Sequence, residues 1–148
     1  MPLPGGYLLD TNILVALVRG NLFGQYLDAT YGLRSGRNPF ALCIVTVGEM
    51  YALSRKLRWG TPKQTTLTSL LAGFVVLDIS DAQILQAYGE IDAASDAAGL
   101  TMGKNDVWIA APARVAKTTL LTADRDFDHL HGAWIDREWV DPTSQLKP

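Results

Sequence analysis

The chain has 148 residues, 48% hydrophobic and 19% charged, an ordinary soluble composition long enough for one domain with a proper core. Its formal net charge of −2 lacks the bulk basicity of a nucleic-acid binder, its single cysteine excludes an internal disulfide, and no apolar run is long enough to span a bilayer. Met1-Pro2-Leu3-Pro4-Gly5-Gly6 has neither the basic region nor the apolar core of a signal peptide, so the expected location is cytoplasmic.

In chain order, Tyr7-Leu8-Leu9 is short, apolar and bounded by Gly5-Gly6, which suits a strand buried on both faces. Asp10, Thr11 and Asn12 interrupt it, and Ile13–Leu17 opens a helix that stops at Arg19-Gly20. Residues Asn21–Arg34 carry apolar residues near helical spacing, weakened by Gly24 and Gly32. Ser35–Pro39 is a loop, and Phe40–Val45, which contains Cys43 as a buried thiol, is a second buried strand.

Thr46-Val47-Gly48-Glu49 has the spacing of a capping box and opens a helix to about Arg58. Thr61-Pro62 starts the next helix, with proline at the first helical position, and it runs to about Gly73. Phe74–Ile79 is a third strand. Ser80-Asp81-Ala82-Gln83 is a second capping box, for a helix that ends at Asp96–Gly99. After the loop Thr101–Lys104, Asn105-Asp106 begins a helix with Pro112 well inside it, where a kink is expected at a cost of about 3 kcal/mol unless packing offsets it.

Thr118–Thr122 is a fourth strand and Ala123–Phe127 a turn or short helix. Ala133-Trp134-Ile135 is a short fifth strand, and the tail from Asp136 reads as loosely ordered, so the ordered core should cover roughly residues 6–136. Strands alternate with helices. The class is therefore α/β, with a mainly parallel central sheet of four to five strands flanked by helices and all strand C-termini on one edge.

Acids recur at that edge. Asp10 follows the first strand, Glu49 lies one turn into the helix after the second, Asp106 opens the helix that leads to the fourth, and Asp124 lies just past the fourth, with Asp126 two residues on. Each alone has an ordinary reading: Asp10, Asp106 and Asp124 as helix caps or first-turn acids, Glu49 as half of a capping box, Asp126 as solvent-facing. Together they can converge, and converging carboxylates stay ionised only with a cation or proton between them. Without a histidine or cysteine cluster the cation would be Mg²⁺ or Mn²⁺ rather than Zn²⁺, and the chemistry phosphodiester hydrolysis.

Charge is uneven along the chain. Between Ala29 and Leu77, Arg34, Arg37, Arg55, Lys56, Arg58 and Lys63 face one acid, Glu49, a local +5 that leaves −7 for the remainder. Arg55, Lys56 and Arg58, followed by Trp59, could hold single-stranded RNA. A solvated helix face with Trp59 packing at its end accounts for them equally well. Trp108 reads as core, and His129 and His131 as surface residues in a polar turn.

Assembled in this order, the motifs resemble a PIN-domain ribonuclease, in particular the VapC-type toxin of bacterial toxin–antitoxin pairs. Leu8-Leu9-Asp10-Thr11-Asn12-Ile13-Leu14 is similar to that family's opening strand and first acid, and Thr46-Val47-Gly48-Glu49-Met50 to its second acid motif. Asn105-Asp106-Val107-Trp108-Ile109-Ala110-Ala111 resembles the third, and Leu120-Leu121-Thr122-Ala123-Asp124-Arg125-Asp126-Phe127 the fourth. The resemblance covers nearly the whole chain. It implies Asp10, Glu49, Asp106 and Asp124 as catalytic and metal-binding acids, Asp126 as a further acid beside the metal, and Asn12 and Thr122 as supporting polar residues. It also implies Mg²⁺ or Mn²⁺, RNA cleavage, a cognate antitoxin and a homodimer.

Pro112 departs from the family pattern, which has a small residue such as threonine there; packing beyond the site should change, not metal binding. A haloacid-dehalogenase-like phosphatase needs a second aspartate where Asn12 stands, and a response-regulator receiver needs an acidic pair where Asp10 stands alone. An RNA-processing nuclease without an antitoxin, and a non-catalytic metal-binding or interaction module, remain as alternatives.

Overall fold

The computed structural model describes residues 6–36 and 40–148. Gly5, the start of the first expected boundary, and residues 37–39 of the expected Ser35–Pro39 loop, Arg37 among them, lie outside the described residues. The elements are β1 (Tyr7–Leu9), α1 (Thr11–Arg19), α2 (Leu22–Tyr31), β2 (Ala41–Cys43), α3 (Ile44–Lys56), α4 (Thr61–Gly73), β3 (Val75–Leu77), α5 (Ala82–Ala97), α6 (Lys104–Ala116), β4 (Thr119–Thr122), a 3₁₀ helix (Arg125–Leu130) and β5 (Asp136–Trp139).

The five strands pair in parallel in the order β3-β2-β1-β4-β5. Leu8 lies between Ala41 and Leu120, and Leu9 between Leu42 and Leu121. Successive side chains leave a strand on opposite faces. Leu9, Leu42 and Leu121 therefore pack with Ile13, Leu17, Leu27, Met50 and Leu67 on one side, while Leu8, Ala41 and Leu120 pack with Ile91, Val107, Ile109 and Phe127 on the other. The α/β class and the parallel sheet expected from the alternation are both present. Chain order reverses beside β1, since β2 and β3 lie on one side of it and β4 and β5 on the other. That switch point opens a crevice at the strand C-termini, and Asp10 stands at its mouth.

Several boundaries differ from expectation for local reasons. α3 begins at Ile44, directly after Cys43, whose side chain makes no capping bond. Thr46 is thus inside the first helical turn rather than a cap, and the expected Thr46–Glu49 capping box does not form. α5 is capped by Asp81, whose carboxylate accepts from the Gln83 N–H at 2.7 Å, not by Ser80. α2 is capped by Asn21 and ends at Tyr31 with Gly32 left-handed, three residues short of Arg34. Gly24 in α2 is a packing requirement rather than a weakness: a Cβ there would lie 2.1 Å from the Ala16 carbonyl oxygen of α1.

The fifth strand is the largest correction. It is Asp136–Trp139, not Ala133–Ile135, and the expected loose tail is the sheet's edge as far as those residues. Its polar side chains suit an edge strand. Glu138 accepts hydrogen bonds from the Tyr7 hydroxyl at 3.0 Å and from the Tyr31 hydroxyl, and the Trp139 indole N–H donates to the Ala123 carbonyl at 3.1 Å.

α6 runs unbroken through Pro112, which is buried. Proline has no N–H, so the carbonyl of Trp108, four residues earlier, loses its helical donor. The Cys43 thiol replaces it, with Sγ 3.4 Å from the Trp108 oxygen. Burial pushes the Cys43 thiol up to about 11, which keeps it protonated and able to donate. Cys43→Ala should cost about 1–2 kcal/mol. In a Pro112→Ala background, which returns the missing N–H, that cost should shrink by about 0.5–1 kcal/mol. Urea denaturation of the four proteins measures the coupling, and strict additivity would rule the replacement out. Among the described residues no helix is long and apolar enough to cross a membrane.

Candidate active site

Asp10 follows β1 and caps α1. Its backbone N–H completes the sheet by donating to the Leu121 carbonyl at 2.9 Å. Oδ1 accepts from the Thr11 N–H at 2.7 Å; Oδ2 accepts from the Thr122 hydroxyl at 2.7 Å and from the Asn12 side-chain amide at 3.1 Å. The carboxylate is 3% exposed. Burial pushes its pKa up to about 6 against the hydrogen bonds from Thr122 and Thr11, and the charges of Asp124 and Glu49 add to the rise.

The supporting residues are tied into the same network. Asn12 Oδ1 accepts from the Ala123 N–H at 3.1 Å, and Thr122 Oγ1 accepts from the Asp124 N–H at 2.9 Å. Together they lock the end of β4 to the start of α1. Asp124 caps the 3₁₀ helix, its Oδ1 accepting from the Asp126 N–H at 2.9 Å.

Glu49 reaches the site from the second turn of α3. Its Oε1 accepts from the Thr11 hydroxyl at 2.7 Å and its Oε2 from the Asn105 amide at 3.2 Å. The Thr11 hydroxyl also lies 3.1 Å from that of Thr46. From the sequence, Thr46 reads only as a helix cap, and Thr11 and Asn105 have no role at the site. Thr11 and Asn105 sit beside Asp10 and Asp106, but their target depends on how α1, α3 and α6 meet.

Asp106 lies in the first turn of α6 and is half-buried. Burial first, and then repulsion from Asp10, Asp124, Asp126 and Glu49, push its pKa up to about 7. All five expected acids therefore converge on one place. Asp106, Asp124 and Asp126 form its tightest part, each offering an oxygen within 4.8 Å of the others; Asp10 and Glu49 stand outside that trio. Asp126 is exposed, and its pKa is raised chiefly by the charge of Asp124. An all-carboxylate donor set whose charges raise the pKa of Asp10, Asp106 and Asp126 fits a hard divalent cation such as Mg²⁺ or Mn²⁺.

The structure separates the remaining sequence readings. Arg55, Lys56 and Arg58 are exposed, but Arg55 lies about 9 Å further along the α3 axis than Glu49. Trp59 is 8% exposed and packs in the core, so it offers no stacking face. Trp108 is partly exposed and stacked on Tyr88, ring centroids 3.9 Å apart, rather than lying wholly in the core. His129 is half-buried, with Nε2 2.8 Å from the Ser95 hydroxyl. His131 is exposed and accepts from the Arg137 N–H at 2.9 Å. Arg34, counted in the basic segment, is tied to the Leu17 carbonyl.

Known proteins are similar to this chain in sequence and in fold. Ribonuclease VapC2 of Rickettsia felis is 28% identical over 116 residues, covering 78% of this chain and 84% of that protein. The crystal structure of VapBC2 from Rickettsia felis, bound to a promoter DNA fragment, superimposes with a TM-score of 0.71 at 24% identity, over 89% of this chain and 96% of that one. FitAcB from Neisseria gonorrhoeae gives a TM-score of 0.72 at 23% identity, over 92% of this chain and 97% of that one. The PIN domain family model matches residues 7–133, a span that begins with β1 and takes in all five converging acids. By that match, this chain belongs to the PIN-domain family.

Proposed function

We propose that the chain is a metal-dependent endoribonuclease that hydrolyses RNA phosphodiester bonds, and that it is the toxin of a toxin–antitoxin pair. The observation that carries the chemistry is the convergence of Asp10, Glu49, Asp106, Asp124 and Asp126, with Asp106 pushed to about 7 by burial and by the other four. The choice of substrate draws support from the relatives named ribonuclease VapC2, and the toxin role from structural neighbours such as VapBC-5 of Mycobacterium tuberculosis, a member of the VapBC family of toxin–antitoxin systems.

In this reading the whole chain is one domain. Asp10, Glu49, Asp106 and Asp124 are the catalytic acids, and Asp106, Asp124 and Asp126 hold the metal most directly. Mg²⁺ or Mn²⁺, when bound, supplies Lewis-acid neutralisation of phosphate charge. The chain's own residues set the geometry. Thr122, Asn12 and the Thr11 N–H fix both oxygens of Asp10, and Thr11 with Asn105 fixes both oxygens of Glu49. A site held this way needs little rearrangement on reaction.

Cleavage of unstructured RNA in Mg²⁺, abolished by chelation, tests the activity. A small reading frame beside the gene, whose product co-purifies with this chain and silences it, tests the toxin role. Active protein with no such partner would point to an RNA-processing nuclease. The protein is proposed to be cytoplasmic and homodimeric, and sedimentation of the purified chain tests the dimer.

Arg55, Lys56 and Arg58 are proposed as a landing surface for RNA at the far end of α3. Reversing all three to glutamate should weaken RNA affinity roughly tenfold or more at low salt and flatten the dependence of binding on salt. Unchanged affinity and slope would remove them from the interface.

A further inference from the structure

Beside the acids lies a cavity of about 290 Å³ that the cleavage reading does not use. One wall is Leu100, Thr101 and Met102, the segment that leads into α6 and so into Asp106. The other is the 3₁₀ helix, with Arg125, Asp126 and His129. Asp126 belongs to both the cavity wall and the acid trio. A polymer whose phosphate sits at the acids therefore has its neighbouring unit at this cavity.

The walls are fixed. The Arg125 guanidinium lies 3.6 Å above the Trp139 ring, and its Nη1 is 3.3 Å from Asp128 Oδ2. Trp139 is itself anchored to the Ala123 carbonyl, and His129 to Ser95. Met102 is buried at the base, and Leu100 is 44% exposed at the rim. The lining combines apolar surface from Leu100 and Met102 with polar groups from Thr101, His129 and Arg125 and with the carboxylates of Asp126 and Asp128, which can accept from a base's amino or imino N–H. That combination suits a flat heterocycle with hydrophobic faces and hydrogen-bonding edges. The volume is at the small end for a ligand site, room for one unstacked base.

We infer that this cavity is a base subsite: it takes the unpaired nucleobase next to the scissile phosphate and sets which base is preferred there. The inference rests on the ribonuclease reading and deepens it. Base-paired RNA cannot turn a base into such a cavity, so the subsite also selects single-stranded loops and ends. Arg125, held over Trp139 and paired with Asp128, stands in the cavity wall without needing to be ordered on binding.

The test uses an RNA pool with a randomised single-stranded loop, cut in Mg²⁺ by the wild type, Leu100→Trp and Thr101→Val. The readout is the ratio of kcat/KM for the preferred base to that for the others at the position flanking the cut. That ratio does not depend on how much of each variant is folded. The wild type should show a preference at that position. Leu100→Trp, which fills the cavity, should reduce it roughly tenfold, and Thr101→Val should change which base is preferred. A ratio unchanged in both variants, or a wild type that cuts with no preference there, overturns the subsite and leaves the nuclease standing. A wild type that binds Mg²⁺ and cuts nothing in the pool overturns the ribonuclease reading and the subsite with it.

Discussion

Asp106→Asn will yield a protein that no longer cleaves RNA yet is harder to unfold without metal. Loss of one metal-side carboxylate should cost cleavage on the order of a thousandfold. Stability should move the other way. Asp106 is half-buried, and all four other acids of the site oppose its charge. Its oxygens take part in none of the hydrogen bonds that lock Asp10 and Glu49 in place. Removing that charge should stabilise the metal-free fold by about 1 kcal/mol, discounted because solvent screens a half-exposed group.

Asp10→Asn provides the contrast. Asp10 accepts three hydrogen bonds, two of them at Oδ2. An amide placed there sets its N–H₂ against that of Asn12, and the Thr122 hydroxyl must turn to accept it. One buried donor is then unsatisfied, at a cost of about 1–3 kcal/mol. Both variants should be inactive, but only Asp106→Asn separates chemistry from folding. Denaturant melts in chelator, run beside the cleavage assay, read the two effects. If Asp106→Asn is destabilised as much as Asp10→Asn, the acid holds structure, and the case for a metal-centred active site weakens sharply.

That contrast also marks how far the sequence could be read. Tyr7-Leu8-Leu9 and Leu120-Leu121 could be recognised because a strand buried on both faces must be apolar throughout, and the acid that ends such a run is conspicuous. Asp10, Asp106 and Asp124 were therefore visible from their places in the alternation of strand and helix. Asp136–Trp139 was not. An edge strand needs no apolar face, and what holds Glu138 is a pair of tyrosines more than a hundred residues away. The start of α3 was misplaced because Ile44 and Val45, β-branched and following an apolar run, favour a strand by local preference; the packing of the helix overrides it. The partners of Glu49 were hidden for the same kind of reason. Thr11 and Asn105 are adjacent to it only in space, and nothing in the spacing of either motif says which helix faces which.

Raising the pH should destabilise the metal-free protein, and Mg²⁺ should restore what is lost. Asp10 at about 6 and Asp106 at about 7 both lie above the value of about 4 that a carboxyl takes in an unfolded chain. Between those limits the folded state holds protons that the unfolded state has released. Stability from these two groups therefore falls as pH rises, and the penalty is complete once the pH exceeds about 7. It is on the order of 3 kcal/mol for buried Asp10 and smaller for half-exposed Asp106. A cation placed among the acids removes the repulsion, but below pH 7 it must first displace protons.

The rise in Tm on adding Mg²⁺ should therefore be larger at about pH 8 than at about pH 5.5, and the metal-free Tm should run the opposite way over the same interval. Asp106→Asn serves as the control: with that acid neutral, both trends should shrink together. A metal-free Tm that climbs from about pH 5.5 to 8, or an Mg²⁺ shift equal at both ends, would mean that these carboxylates do not share one cation. The convergence would then be a matter of folding alone, and the chemistry proposed for the site would lose its physical basis.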